Sequence, residues 1–396
     1  MRGGHRPLRA GTALVLTGLV TFAGAHGATA DGAHCTFPAE PVEERPWALQ
    51  RVLLDQLWQE TRGAGVGVAV IDSGVDTANP QLADAVAADR GADFTEAEGD
   101  STTDTVGHGT KVAGIIAARP HEDTGFVGLA PESTIIPIRQ TDAADGGTVE
   151  TLARSIEHAV AQGADIINIS QDTDAPPAEG SDLQVAVAAA VAADIVVIAS
   201  VGNDGADGRQ RETYPAAYDG VLAVGASDRN NERAPFSQSG DFVGIAAPGV
   251  DMLSTVPGGG QCVDSGTSFA APYVTGVAAL LRAAHPEWNA RQVVAHLQQT
   301  AERATPGPDP HTGWGVVDPV RALTEGDTEP AEAPVPDRPA PAAPAPEVAA
   351  LDLAETHAER SERLGTFVVL TAAVLTAAVG GAALILRDWR RRRRIP

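Results

Sequence analysis

Short, continuously apolar segments alternate with helix-like segments through the middle of this chain. Strand-like runs include GVGVAVIDSG at 65–74, ADIINIS at 164–170, IVVIAS at 195–200 and VLAVGAS at 221–227. Such runs are apolar on both faces, so the strands they form need cover on both sides. The alternation therefore predicts an α/β fold, in which a mainly parallel sheet is covered by helices on both faces.

Helices are indicated around these strands by apolar residues at helical spacing. In open parallel sheets, binding sites form outside the carboxyl ends of the strands. Asp72 and Asn203 both lie just past predicted strand ends, so the sequence predicts a site at that edge. The predicted helices span 47–60, 108–118, 148–162, 182–192, 268–284 and 289–300.

The N-terminus has the form of a secretory signal peptide. Residues 1–30 combine an arginine-containing start, a short apolar run and an Ala-Thr-Ala cleavage site, which is the pattern of an export signal. An uncleaved membrane anchor is the alternative, and the apolar run is short for a span. We expect the mature chain to begin near Asp31, with a proline-containing N-terminal extension at 31–46 before the folded domain.

The C-terminal part of the sequence has the pattern of a segment that tethers a folded domain to a membrane. A folded domain at 47–323 is followed by a proline-, alanine- and acid-rich linker at 324–363, which cannot bury a core and should be extended. The 23 residues of 364–386 carry no charge and can cross about 30 Å of hydrocarbon. The arginine-rich tail at 387–396 should stay cytoplasmic. The chain is therefore predicted to be a single-pass cell-membrane protein with its domain extracellular or periplasmic.

Charge and cysteine content limit the partners of the chain and the cellular compartment in which it folds. The net charge of −24 argues against nucleic acid as a partner, because phosphates would be repelled. Solubility explains this charge, and a preference for basic partners is the alternative. The two cysteines, Cys35 and Cys262, form an even count in an exported chain, which favours a disulfide over two free thiols.

Three glycine-flanked patches contain the residue types of nucleophilic serine catalysis. That chemistry needs a serine, a base that takes its proton and a carboxylate that orients the base. Asp72 ends a strand, His108 precedes a helix, and Ser268 opens another helix. We place Pro272 in the first turn of that helix, because proline is tolerated there. Ser268 is therefore the candidate nucleophile, and Ser265 is interpreted as a loop residue.

A fourth patch, ASVGNDG at 199–205, supplies a candidate oxyanion donor. The side-chain amide of Asn203 can donate to the oxyanion together with the Ser268 backbone N–H. Singly, each patch has an ordinary structural explanation, such as a turn for Asp72 or a helix cap for His108. Together they indicate a serine hydrolase, and SGTS lacks the pattern of a lipase-type nucleophile elbow.

These motifs resemble those of the subtilisin-family serine proteases, the subtilases. VIDSGVD, GHGTKVAG, GNDG and SGTSFAAPYVTGVAALL match that family, whose triad follows the order Asp, His, Ser. The resemblance implies a subtilisin-like three-layer fold and a serine endopeptidase with a triad of Asp72, His108 and Ser268. It also implies substrate-binding residues along the cleft, namely Ser170, Gln171, Ser200, Val201 and Gly202.

The accessory segments resemble those of mycosins, the membrane-anchored subtilases of type VII secretion systems. This resemblance implies protein or peptide substrates and partner subunits in a membrane secretion complex. A small-residue stripe at Ala373, Ala377 and Gly381 suits close helix packing, although alanine richness alone could produce it. A general surface subtilase without a secretion role, and a scaffold whose structural role outweighs its proteolysis, are the alternatives.

The chain departs from the subtilase pattern in two places. Subtilases often have Ser-Leu-Gly where this chain has Ser170-Gln171-Asp172, and that stretch borders bound peptide. We hypothesise that Asp172 or Asp174 favours basic residues in the substrate. The extension at 31–46 is too short for a folded pro-domain, so we expect it to pack on the catalytic domain.

Calcium is common in subtilases, and two acidic segments are candidates for holding it. HEDTG at 121–125 and the loop at 96–104 lack the oxygen-ligand spacing of a calcium loop. We interpret both as exposed acidic loops and predict no metal and no cofactor.

Overall fold

The computed structural model describes residues 35–142, 147–325, 329–337 and 355–393. The predicted signal peptide lies outside the described residues, as do residues 326–328 and 338–354 of the predicted linker and the last three residues of the tail. The chain divides into two compact units, Met1–Arg338 and Pro339–Pro396.

The first unit is built on a seven-stranded sheet in the order β2-β3-β1-β4-β5-β6-β7. All neighbouring strands in it are parallel, as predicted from the both-face-apolar runs. β8 and β9 form a separate antiparallel pair. The strands are β1 Gly67–Asp72, β2 Ala92–Asp93, β3 Thr134–Arg139, β4 Ile166–Ile169, β5 Val196–Ser200, β6 Val221–Ser227, β7 Ile245–Pro248, β8 Met252–Thr255 and β9 Gln261–Asp264.

Helices cover this sheet on both faces. Alternate residues of β1 show the arrangement, because Val68 and Val70 face a core shared with α3 and α6. Ala69 and Ile71 face a second core, shared with α4 and α5. The three-layer prediction is therefore confirmed. The helices are α1 Trp47–Gln50, α2 Leu54–Leu57, α3 His108–Ala117, α4 Val149–Ala161, α5 Asp182–Ala192, α6 Thr267–Ala284, α7 Ala290–Thr300, α8 Pro319–Thr324 and α9 His357–Arg392.

The prediction of one helix over 47–60 is wrong. The chain forms the short helices α1 and α2, separated by a break at Leu53, where ψ is 81°. Leu53 is exposed, whereas Leu49 in α1 and Leu57 in α2 are buried. The break lets both helices turn apolar residues toward the core, and each such burial stabilises the fold by about 1.5–3 kcal/mol.

The N-terminal extension packs on the first unit. Cys35 and Cys262 form a disulfide with a Cα–Cα distance of 6.0 Å. The Ala39 N–H donates to the Gly259 carbonyl at 3.0 Å. The ring of Phe37 contacts Gly107 so closely that a Cβ there would clash with it. The extension thus reaches the residue directly before His108.

The first part of the predicted linker lies on α7 rather than extending freely. Arg303 pairs with Asp337 through two hydrogen bonds of 2.8 and 2.9 Å. The Gln292 side chain donates to Glu329 at 2.7 Å, and the Val335 N–H donates to Gln299 at 2.8 Å. Residues 329–337 therefore form a strap across one helix of the domain.

The second unit contains α9, a helix of 36 residues. Its N-terminus is capped by Thr356, whose hydroxyl accepts the Glu359 N–H at 3.2 Å. By length and composition α9 is able to cross a membrane, and it extends beyond the predicted span at both ends.

Candidate active site

A cleft of about 390 Å³ opens at the carboxyl edge of the sheet. Asp72 at the end of β1, His108 at the start of α3, Asn203 after β5 and Ser268 at the start of α6 all line it. The fold thus brings the four predicted side chains together, although they lie far apart along the chain.

The predicted substrate-binding residues differ in their access to the cleft. Ser170 and Gln171, which follow β4, line it. Ser200 and Val201 are fully buried and do not line it. Gly202 is also buried and does not line the cleft, and its φ is +93°.

His108 is oriented by Asp72. The His108 Nδ1 atom lies 2.7 Å from Asp72 Oδ1, and the Asp72 side chain is 1% exposed. Burial alone would lower the pKa of His108, but the charge and hydrogen bond of Asp72 raise it above its ordinary value. With Nδ1 facing the carboxylate, Nε2 is left to exchange a proton with a group in the cleft.

A second carboxylate, Asp104, holds the loop that carries His108. It accepts the Gly107 N–H at 2.7 Å and the Thr110 N–H at 2.9 Å, on either side of the histidine. It also accepts the Ser73 hydroxyl at 2.9 Å. Burial raises the pKa of Asp104. The interpretation of the loop at 96–104 as exposed is wrong for Asp104, which is buried, and the sequence analysis missed its role beside His108.

Ser268 is joined to Ser170 by two hydrogen bonds. The Ser268 hydroxyl donates to the Ser170 carbonyl at 3.2 Å, and the Ser170 hydroxyl donates to the Ser268 carbonyl at 3.0 Å. Transfer of the Ser268 proton to His108 therefore requires the hydroxyl to leave the Ser170 carbonyl.

The position of Pro272 explains the second of these bonds and corrects a prediction. α6 begins at Thr267, so Pro272 lies in its second turn rather than its first. Proline has no N–H to donate to the carbonyl four residues earlier, which is that of Ser268. The Ser170 hydroxyl supplies the missing donor, and it is held by the Asn168 side-chain amide at 2.9 Å.

Asn203 is fixed by the first residue of α6. Its Oδ1 atom accepts the Thr267 N–H at 2.9 Å and the Thr267 hydroxyl at 3.1 Å. With its oxygen held there, the amide nitrogen is left to donate elsewhere. Ser265 has a different role, because its hydroxyl accepts the Asp251 N–H at 2.9 Å, as expected of a loop residue.

Comparison with known proteins identifies the family. Residues 63–315 match the model of the subtilase family. Subtilisin E of Bacillus subtilis is 37% identical over 264 residues, which are 66% of this chain and 67% of that protein. Mycosin-1 of Mycolicibacterium smegmatis is 34% identical over 339 residues, covering 72% of this chain and 74% of that protein.

A solved structure agrees with this result. The MycP3 protease from the type VII (ESX-3) secretion system matches with a TM-score of 0.64 and 36% identity, over 72% of this chain and 92% of that one. The chain belongs to the subtilase family, whose members are serine endopeptidases. Within that family it is a mycosin-like subtilase with the subtilisin-like fold.

Proposed function

We propose that this chain is a membrane-anchored endopeptidase that uses Ser268 as nucleophile, His108 as base and Asp72 to orient the base. One observation carries the proposal: the 2.7 Å contact of His108 Nδ1 with Asp72, in the cleft that Ser268 and Asn203 also line. A buried carboxylate paired with a histidine beside a serine is the arrangement that activates a hydroxyl.

The reaction follows from this arrangement. Ser268 Oγ attacks the peptide carbonyl carbon while its proton passes to His108 Nε2, and Asp72 stabilises the imidazolium. The carbonyl oxygen becomes an oxyanion, stabilised by the Asn203 amide and the Ser268 N–H. His108 then gives the proton to the leaving amine. A water molecule hydrolyses the acyl-enzyme by the same steps and restores the Ser268 hydroxyl.

The C-terminal helix supports anchoring in the membrane. α9 is long and apolar enough to span a bilayer, and its last turn contains Arg390, Arg391 and Arg392. Basic residues beside a span favour the cytoplasmic side. The catalytic domain would then lie on the opposite side, outside the cytoplasm.

The similarity to mycosins supports a role in secretion. MycP3 is a protease of a type VII secretion system, and this chain shares its fold over most of that protein's length. We propose that the natural substrates are secretion-associated proteins and that subunits of a membrane secretion complex are partners.

The test is hydrolysis of a mixed peptide library by the full-length chain in detergent, read by mass spectrometry. Ser268→Ala should lose about 10⁶-fold in rate, the loss known for the nucleophile of subtilisin. Ser265→Ala is the matched control, three residues away, and should retain activity. Activity that survives in Ser268→Ala would contradict the proposed mechanism.

A further inference from the structure

Asp172 is a cleft residue that the proposed mechanism does not use. It lines the same cleft as Ser268 and Asn203. A Cβ on Gly202 would lie 2.7 Å from Asp172 Oδ2 and 3.3 Å from the Thr213 methyl group. The carboxylate therefore lies against the backbone of Gly202, which directly precedes Asn203.

Its position is set by main-chain pairing. The Thr173 N–H donates to the Tyr214 carbonyl at 3.0 Å, and the Tyr214 N–H donates back at 2.9 Å. This pairing joins the segment after β4 to the segment containing Thr213. The pairing thus fixes the backbone next to Asp172, whose side chain is exposed in the cleft. Asp174, two residues further on, does not line the cleft.

Within the described residues, the carboxylate of Asp172 forms no hydrogen bond and no ion pair. Arg211, which donates to the carbonyl of the neighbouring Asp204 at 3.4 Å, is itself paired with Asp207. The cleft thus presents an unpaired negative charge to whatever enters it.

The surroundings of Asp172 add further negative charge. Asp172 is exposed to solvent at the cleft, and partial desolvation, followed by the charges of Asp204 and Asp174, raises its pKa to about 6. Tyr214, across the pairing, is uncharged at neutral pH because the pKa of a tyrosine is about 10, and the hydrogen bond to Glu212 raises that pKa further. At neutral pH Asp172 is therefore ionised, and a bound cation would offset its repulsion by the neighbouring carboxylates.

We infer that Asp172 selects arginine or lysine at the substrate residue whose carbonyl is attacked. The oxyanion of that residue lies at Asn203, so the rest of the residue lies beside Gly202, where the carboxylate is. Arginine can bind a carboxylate through two parallel hydrogen bonds, and lysine through its compact charge. The inference rests on the proposed protease function and adds the substrate class.

The experiment uses covalent probes, so that it does not depend on turnover. Two peptide diphenyl phosphonates carry either arginine or norleucine at the residue that bears phosphorus. Full-length protein in detergent is treated with each, and the second-order rate of serine modification is read by intact mass. The wild type should react at least about 10-fold faster with the arginine probe, because charge-assisted hydrogen bonds contribute about 10- to 150-fold in affinity.

The variants separate Asp172 from its neighbours. Asp172→Asn should lower the arginine-to-norleucine ratio by about 10- to 150-fold, whereas Asp174→Asn, the matched control, should keep it. As a second readout, the wild-type ratio should fall when the pH is lowered through about 6, because protonation removes the charge of Asp172. His108 affects both probes equally and cancels in the ratio.

The outcomes distinguish this inference from the proposed function. A wild-type ratio near one, a preference for norleucine, or a ratio unchanged in Asp172→Asn would overturn the role of Asp172 while leaving a serine protease in place. Modification by neither probe, with Ser268→Ala as the blank, would overturn the proposed function and this inference with it.

Discussion

Replacing Ser170 tests the link between Pro272 and the nucleophile. Ser170→Ala removes the donor to the Ser268 carbonyl and the acceptor of the Asn168 amide. Asn168 is fully buried, and leaving one buried polar group unpaired costs about 1–3 kcal/mol. The hydrogen bond to the Ser268 carbonyl is only partly buried and its loss costs less, so we expect a total loss of about 2–3 kcal/mol in the free energy of unfolding.

The assay is thermal unfolding of the full-length chain in detergent, followed by tryptophan fluorescence. For a domain of this size the loss corresponds to a fall in Tm of roughly 3–5 °C. Ser265→Ala, which removes a hydroxyl bound to one exposed N–H, is the control and should change Tm less.

A double-mutant cycle makes the test specific. Pro272→Ala restores an N–H that can donate to the Ser268 carbonyl, so Ser170→Ala should cost less in that background than in the wild type. Equal losses in both backgrounds, or an unchanged Tm in Ser170→Ala, would refute the reasoning.

Three further predictions concern the site and its support. Asn203→Ala should lower kcat about 10²–10³-fold with little change in KM, measured on a neutral peptide; an effect confined to KM would contradict the oxyanion role. The pKa of His108 is raised, and only neutral imidazole accepts the Ser268 proton, so kcat/KM should rise with pH through a midpoint above about 6.5. A pH profile with a midpoint below that value would contradict the role of His108 as the base. Cys35→Ser should destabilise the domain by up to about 5 kcal/mol, because the disulfide closes a very long loop, and unchanged thermal unfolding would show that the extension contributes little.

The sheet was predictable because each of its main strands has a recognisable local sequence pattern. The run that forms β1 is nearly all apolar and is buried at every position, as expected for a strand covered on both faces. The predicted bounds of β6 and α5 agree with the structure. The triad candidates were predictable as a set, because their glycine-flanked motifs place them at junctions between strands and helices.

The remaining features depend on contacts between distant parts of the chain. The break at Leu53 is favoured because it lets apolar residues on both sides of it be buried, and the spacing of residues in the sequence does not show this. Pro272 is tolerated in the second turn because Ser170 supplies a donor from another strand. Likewise, the strap at 329–337 is held by Arg303. Each of these partners lies far away in sequence, so no local pattern contains it.

The contact of Asp172 with Gly202 belongs to the same class. The sequence offered Asp172 and Asp174 as equal candidates for a role in specificity. The main-chain pairing of Thr173 with Tyr214 decides between them, because it holds Asp172 at the cleft wall.

The most direct test of the central claim is the identity of the residue modified by a small fluorophosphonate. Full-length protein in detergent would be treated, digested and mapped by mass spectrometry, with Ser268→Ala alongside. We predict modification at Ser268 in the wild type and none in Ser268→Ala. Modification at Ser265 or another serine, or no modification of a protein that is shown to be folded, would contradict the assignment of Ser268 as the nucleophile.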